Sequence, residues 1–305
     1  MDAVITRRTF LIGAGGLLAA AVAGAGYAVA IEPRYRLRVQ TWRLEPDGWP
    51  AELPLRIVAI ADPHLGAPVM PIERWRRIVE LANALSGDLI VFLGDFIGSH
   101  RFVTETYPVE AIAAVAAGAA APLGRYAILG NHDWWIDRQA QARGGGPTAI
   151  GLALAAAGVP VLENDAVRHV HHGQPFWLAG LGDQLALRRG GGFTGVDDLA
   201  GMLARVTDAA PVLLLAHEPD IFPRVPPRVA LTLSGHTHGG QVRLFGYSPV
   251  VPSRYGNRYA YGPVVEDRRH LVVSGGLGCS IAPVRFGVPP EITVVEVGRP
   301  RTTAA

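Results

Sequence analysis

Five separate apolar runs in this chain break off at glycine or alanine and then deliver aspartate, asparagine or histidine, and this recurrence constrains the fold more than any other feature. "IVAIA" leads to Asp62 and His64, "LIVFLG" to Asp95, and "YAILG" to Asn131, His132 and Asp133. "VLLLA" leads to His217, and "LTLSG" to His236 and His238. Short apolar runs bounded by turn residues suit buried β-strands. In open α/β sheets, ligands bind in the crevice beyond the carboxyl ends of the strands. A polar residue after one strand is ordinary, but five such ends holding five of the ten histidines are hard to read as turns. They point to a polynuclear metal site.

The intervening sequence supplies the rest of an α/β layered domain. "LRIVAIA" (55–61) and "DLIVFLG" (88–94) read as strands around an amphipathic helix at 72–85. A helix at 108–120 precedes the strand 125–130, and a helix at 148–158 precedes an extended segment at 159–165. A hairpin is expected over 167–182, turning at His172-Gly173, then a helix near 194–208. The C-terminal part is mostly strand, and the glycine triplets at 144–146 and 190–192 read as flexible loops.

The N-terminus is a separate unit. Arg7 and Arg8 precede an uncharged Ala/Gly/Leu run that ends in an A-x-A pattern at Ala28, Val29 and Ala30. This is the layout of an export signal, and the adjacent arginines resemble the twin-arginine type. The run is also near the ~20 residues that cross a bilayer, so an uncleaved anchor is the alternative. The chain therefore divides into a signal or anchor at 1–30, a linker and lead-in strand at 31–54, a large domain at 55–298 and a tail at 299–305. A net charge of +2 gives no case for nucleic acid. The single cysteine, Cys279, excludes an internal disulfide and reads as a buried hydrophobe.

The ligand chemistry narrows the metal. Two carboxylates, one amide oxygen and four imidazoles, with no thiolate, suit Mn²⁺, Fe²⁺/Fe³⁺ or Zn²⁺. Seven side chains are too many for one such ion and fit two that share a carboxylate. Two ions ~3.5–4 Å apart can activate a water between them and hold the oxygens of an in-line displacement.

The ordered set Asp62-Pro-His64, Gly94-Asp95, Gly130-Asn131-His132-Asp133, His217 and Gly235-His236-Thr-His238 resembles the calcineurin-like metallophosphoesterase superfamily, over roughly residues 55–297. The stretches "SGHTHGGQVRL" and "VSGGLGCSIAPVRFGVPPEI" are similar to a bacterial branch of envelope phosphodiesterases and UDP-diacylglucosamine hydrolase relatives. The resemblance implies a four-layer αββα sandwich of two mixed sheets flanked by helices, with a dimetal site at the C-terminal strand edge. It implies that one ion takes Asp62, His64, Asp95 and His238, and the other Asp95, Asn131, His217 and His236. His132 would then face the phosphate and stabilise or protonate the leaving oxygen, with Asp133 orienting its ring or else capping a loop.

The expectation is an exported phosphodiesterase or pyrophosphatase using two divalent ions, in the periplasm or anchored with its catalytic domain outside the cytoplasm. Its partners would be a phosphoester or lipid-linked pyrophosphate substrate, the twin-arginine machinery and a membrane surface. A broad phosphomonoesterase and a non-catalytic, membrane-anchored metal-binding protein are the alternatives. Around the site, Trp134, Trp135 and the arginine- and aromatic-rich segment 243–263 are candidates for binding a nucleotide or glycolipid headgroup, with a packed hairpin as the other reading. His169, His171 and His172 read as solvated, and His100 as a loop histidine.

Overall fold

The computed structural model describes residues 7–299; residues 1–6 and the tail expected beyond 299 lie outside the described residues. Helix α1 (Arg7–Gly26) continues through a π-helical turn (Tyr27–Ile31) into α2 (Glu32–Tyr35). The body then runs β1 (Arg38–Leu44), β2 (Leu55–Ile60), α3 (Ile72–Ala84), β3 (Leu89–Leu93), α4 (Val109–Ala116) and β4 (Arg125–Ile128). Next come α5 (Asn131–Trp135), α6 (Arg138–Arg143), α7 (Ala149–Ala156), β5 (Asp165–His171), β6 (Gln174–Gly180), β7 (Leu187–Arg189) and β8 (Gly192–Thr194). Helix α8 (Leu199–Ala204), β9 (Val212–Leu215), β10 (Val229–Ser234), β11 (Gly262–Glu266), β12 (Arg269–Val273) and β13 (Glu291–Val297) complete the order.

Side chains alternate across a strand, so a strand buried on both faces must be apolar at every position. That is the composition of β2, β3, β9 and β10, and it sorts their side chains into separate layers. Val58, Ile60, Ile90 and Phe92 pack outward against α3, α4 and α7. Their neighbours Ile57, Ala59, Val91 and Leu93 face Leu213, Leu215, Leu231 and Leu233 of the other sheet. Val212, Leu214, Leu271 and Val273 face away again, onto Met202 of α8 and the 3₁₀ segment Pro219–Arg224. Three apolar layers between four layers of structure give the αββα sandwich. One sheet has the order β1-β13-β2-β3-β4 and the other β11-β12-β10-β9-β6-β5. Both are mixed: β13 is antiparallel to β2, and β5 to β6, whereas β2-β3-β4 and β6-β9-β10-β12 run parallel.

Several local expectations change. The lead-in strand is β1, an edge strand parallel to the C-terminal β13. The glycine triplet at 190–192 is the turn of a small hairpin, β7–β8, with Gly190 and Gly191 at positive φ. The extended segment at 159–165 makes one bridge, Val161 to Ala127, and runs into β5 at Asp165. The helix near 194–208 shortens to α8, because β8 uses its first residues and the Asp198 carboxylate caps the start by accepting from Gly201 N–H at 2.8 Å.

The layering sets a stability test. Leu231→Ala, between the sheets, should lower unfolding stability by about 2–5 kcal/mol, whereas Val265→Ala on the exposed edge strand should change it by less than about 0.5 kcal/mol, both read by urea denaturation.

Candidate metal centre

At the carboxyl ends of these strands the backbone turns sharply. Asp62, His64, Asp95, His236 and His238 have φ of 51°, 43°, 56°, 69° and 52°, in the left-handed region that side chains avoid. Such residues cost of order 1–3 kcal/mol each and persist only where their surroundings over-determine them. Here the loops are laced together: Asp62 N–H donates to Gly94 O at 3.1 Å, His64 N–H to Asp95 O at 3.0 Å, and Gly235 N–H to His217 O at 3.0 Å. Glycine is required where loops meet the carboxylates. A Cβ on Gly235 or on Gly276 would stand 2.7 Å from Asp62 Oδ2.

These turns bring six of the seven strand-end candidates together, and the seventh, Asn131, lines the same cavity as His132 and His236. Asp95 Oδ2 lies 3.4 Å from His64 Nε2 and 3.3 Å from His217 Nε2. Asp62 Oδ1 lies 3.9 Å from His217 Nε2 and 4.0 Å from His238 Nε2. Two groups have ligand atoms within 4.8 Å of one another, Asp62, His64 and His238, and Asp95, His217 and His236, and a third, His64, Asp95 and His132, links them. Asp95 thus stands between the groups, where a shared carboxylate would.

The donor set fits divalent cations. Asp62 Oδ2, Asn131 Oδ1, His217 Nε2 and His236 Nδ1 are buried without a hydrogen-bond partner. Orphaned buried polar atoms are costly, and four in one pocket call for a common partner. The other nitrogen of His217 is engaged, with Nδ1–H donating to Leu93 O at 2.6 Å, so Nε2 is the nitrogen left to face an ion. Burial pulls the pKa of His64 down to about 3 and lowers those of His236 and His238, keeping these rings in the neutral ligand form. His217 is the exception: burial opposes its charge, but Asp95, Glu218 and Asp62 together hold its pKa well above the ordinary value. Burial likewise pushes Asp62 up to about 7. Loading the centre therefore displaces protons, and metal affinity rises with pH.

His132 and Asp133 occupy different positions from each other. The His132 ring stands edge-on to His64 at 4.8 Å, with Nδ1 2.6 Å from Ser99 Oγ and Nε2 3.3 Å from Ser280 Oγ. The Asp133 carboxylate instead accepts from backbone N–H groups: Asp95 at 2.9 Å, Phe96 at 2.8 Å, Ile97 at 3.3 Å and Gly130 at 3.0 Å. The expected ring-orienting role therefore passes to Ser99 and Ser280, and Asp133 caps the loop that carries Asp95.

With this geometry in place, the comparisons with known proteins are decisive. Residues 55–240 match the family model described as calcineurin-like phosphoesterase. The chain belongs to that family. Over 304 residues it is 33% identical to the uncharacterized metallophosphoesterase YkuE of Bacillus subtilis (strain 168), covering 95% of this chain and 96% of that one. It is 28% identical to phosphodiesterase YaeI of Escherichia coli (strain K12), covering 96% and 100%. It is also 28% identical to the transmembrane protein with metallophosphoesterase domain of Danio rerio, covering 78% of this chain and 52% of that one. Calcineurin-like phosphoesterases use divalent metals, in keeping with the Asp/His clusters here.

In this family member a cavity of about 690 Å³ opens over the centre, lined among others by His100, Arg101, Asn131, His132, Arg188 and His236. Arg188 stacks on Trp135 at 4.6 Å, and Phe193 of the β7–β8 hairpin stacks on its ring at 4.8 Å. A second groove, about 300 Å³ and apolar, runs from His238 outward between Val242, Pro249 and Val250 on one side and Ile281, Ala282 and Val284 on the other. The segment 243–263 mostly closes on itself. Arg254 pairs with Asp220, Arg258 with Glu266, and Tyr261 OH donates to Glu291 at 2.8 Å. Cationic reach into the cavity comes from Arg101 and Arg188 instead. Of the local histidine cluster, His169 stacks on Phe176 at 5.2 Å rather than facing solvent. Cys279 is a free, buried thiol, as expected.

Sequence reasoning missed three features. Ser99 and Ser280 hold the His132 ring. Asp183 and Glu218 form a buried acidic pair beside His217. Arg285, fully buried with no carboxylate partner among the described residues, donates to Gly275, Gly278 and Val288 carbonyls and to His238 Nδ1 at 3.1 Å. None follows a strand-end pattern; only the adjacency of Glu218 to His217 was a signal.

Three variants separate these roles by metal analysis. Asp95→Ala should strip nearly all metal, whereas His217→Ala should weaken mainly one ion. Asp133→Asn turns an amide N–H₂ toward backbone donors, an expected loss of about 1–3 kcal/mol in stability with weaker metal retention. Zn²⁺ added to apo-protein in dilute buffer at pH 7 should release protons, followed by an indicator dye.

Proposed function

We propose that this chain is a membrane-anchored phosphodiesterase or pyrophosphatase that acts, outside the cytoplasm, on a lipid-linked substrate. The convergence of four orphaned donor atoms on one pocket, beside a histidine that is not among them, carries the reading. Asp62, His64, Asp95 and His238 would hold one ion, and Asp95, Asn131, His217 and His236 the other. When bound, two such ions supply Lewis acidity toward the phosphoryl oxygens and a nucleophile at neutral pH.

The chain's own groups do the rest. Burial lowers the His132 pKa, so the ring is neutral in the working range. With Nδ1 accepting from the Ser99 hydroxyl, the ring N–H is Nε2–H, on the cavity side, where it can donate a hydrogen bond that stabilises the charge on the departing oxygen. Arg101 and Arg188 offer charge to phosphate or headgroup oxygens. The apolar groove beside His238 suits the hydrocarbon of a lipid-linked ester better than the exposed face of a small phosphomonoester.

The anchor is read as retained. Segment 13–35 is apolar and long enough to span a bilayer. Its A-x-A pattern falls inside a helical turn where Ala28 is buried and Ala28 O accepts from Arg285 N–H at 2.9 Å, so it is not an extended, accessible cleavage site. Relatives named as transmembrane proteins are in keeping with this. The paired Arg7 and Arg8 favour twin-arginine export. Replacing both by lysine should leave the protein in the cytoplasm on fractionation; undiminished export would reduce the pair to the charged flank of an anchor.

His132→Ala tests the catalytic reading. Bound metal should stay near that of wild type, while turnover falls by about 10²–10⁴-fold on esters with poor leaving groups. The loss should be smaller on bis-p-nitrophenyl phosphate, whose leaving group needs no proton. Loss of metal together with activity would make His132 a ligand, and a fully loaded wild type inert on every phosphoester would favour a binding protein.

A further inference from the structure

The hairpin after the last histidine ends in an unusual tip. Leu244 and Tyr247 exchange both backbone hydrogen bonds at 2.9 Å, with Phe245 at φ 51° and Gly246 at φ 82° between them. Such two-residue turns favour Asn-Gly or Asp-Gly, because the first position must take a left-handed backbone and usually faces water. Here it carries a phenylalanine that is 106% exposed. Leu244, Tyr247, Val250 and Ile281 are exposed around it. An exposed, contiguous apolar rim marks an interaction surface.

Continuity with α1 identifies the occupant. Arg243 N–H donates to Phe286 O at 2.8 Å, and the Phe286 ring meets Tyr27 edge-on at 6.2 Å. Arg285, next to it, holds Ala28. The tip therefore lies two residues from the strand pair to which the apolar helix is fixed, within roughly 7 Å of chain reach. The groove that ends at His238 opens between this hairpin and the Ile281 loop.

We infer that the hairpin tip Leu244–Tyr247, with Val250 and Ile281, inserts into the phospholipid bilayer beside α1, so that the groove opens into the lipid. This rests on the proposed membrane anchoring and lipid-linked substrate, and adds the face of the body that meets the membrane. Aromatic and aliphatic tips of this kind sit at the headgroup–acyl boundary. A lipid phosphoester would then reach the metal centre by sliding its hydrocarbon along the groove, without leaving the bilayer entirely.

The test uses the full chain, metal-loaded and reconstituted in phosphatidylcholine vesicles. Phe245→Cys and, as a control on the hairpin at the opposite end of β6, Val170→Cys are labelled with a polarity-sensitive fluorophore; buried Cys279 is shielded. Spin-labelled lipid should quench the label at position 245 several-fold more than that at 170. Equal, weak quenching at both positions overturns the inference. In parallel, Leu244→Asp with Phe245→Asp should reduce hydrolysis of hexadecyl p-nitrophenyl phosphate in vesicles at least tenfold, while bis-p-nitrophenyl phosphate in solution stays within about twofold of wild type. Equal rates on the vesicle ester also overturn it. A wild type that cleaves neither ester defeats the proposed phosphodiesterase activity alone, because the quenching experiment needs no turnover.

Discussion

Two fully buried carboxylates, Asp62 and Asp95, have only imidazoles at ion-pair distance among the described residues. Taking a carboxylate out of water carries an effective penalty of several kcal/mol, and imidazoles, of which His217 alone is held in its charged form, offset it only in part. The tool the fold uses is convergence: several strand ends, a left-handed backbone at five ligand positions and glycines pressed against Asp62. Each is unfavourable alone, and each is explained by a cation that the carboxylates share. Asp133, with its four backbone donors, fixes the loop of Asp95 before any ion arrives.

The C-terminal segment ties this centre to the rest of the molecule. Strand β13 lies between β1 and β2, so the end of the chain sits inside the first sheet rather than at its margin. The loop leading into it passes directly over the site: Leu277 N–H donates to Ala61 O at 3.0 Å and Gly278 N–H to Asp62 O at 2.7 Å. Arg285 holds that loop by its carbonyls and gives a hydrogen bond to His238 Nδ1. That donation fixes the His238 ring, whose Nε2 stands 3.0 Å from His64 Nε2.

What was legible in the sequence was whatever is local. Apolar runs announce strands buried on both faces, and the polar residues that end them announce the ligands, because both follow from a single strand and its turn. Pairings across long separations left no local mark. Ser280 meets His132 across 148 residues, and Ser99 across 33. Arg254 closes on Asp220 across 34 residues, which is why a segment rich in arginine and aromatics looked free to bind a headgroup. Of the two readings of Asp133, adjacency to His132 in sequence favoured the ring, whereas the start of α5 turns the carboxylate back toward Gly130 and the Asp95 loop. The β7–β8 glycines looked flexible because a turn between very short strands has no hydrophobic period to announce it.

The same non-local closure bears on how such a protein could reach its place of work. β1 and β2 bind β13 from the far end of the chain, and the loop before β13 completes the wall around Asp62. Contacts of this separation form late, since loop closure must precede the contacts that reward it. A centre built this way exists only once nearly the whole chain has folded. An export route that carries folded chains preserves the centre, with its metal, through translocation, whereas a route that threads an unfolded chain would require metal to be found outside. The contact of Ala28 with Arg285 extends the dependence to the N-terminal helix, which is fixed to the very loop that closes the site. Folding, metal loading and, on the proposed reading, the placement of the rim at a membrane thus converge on one segment, residues 275–291, rather than on the histidine motifs that first drew the eye.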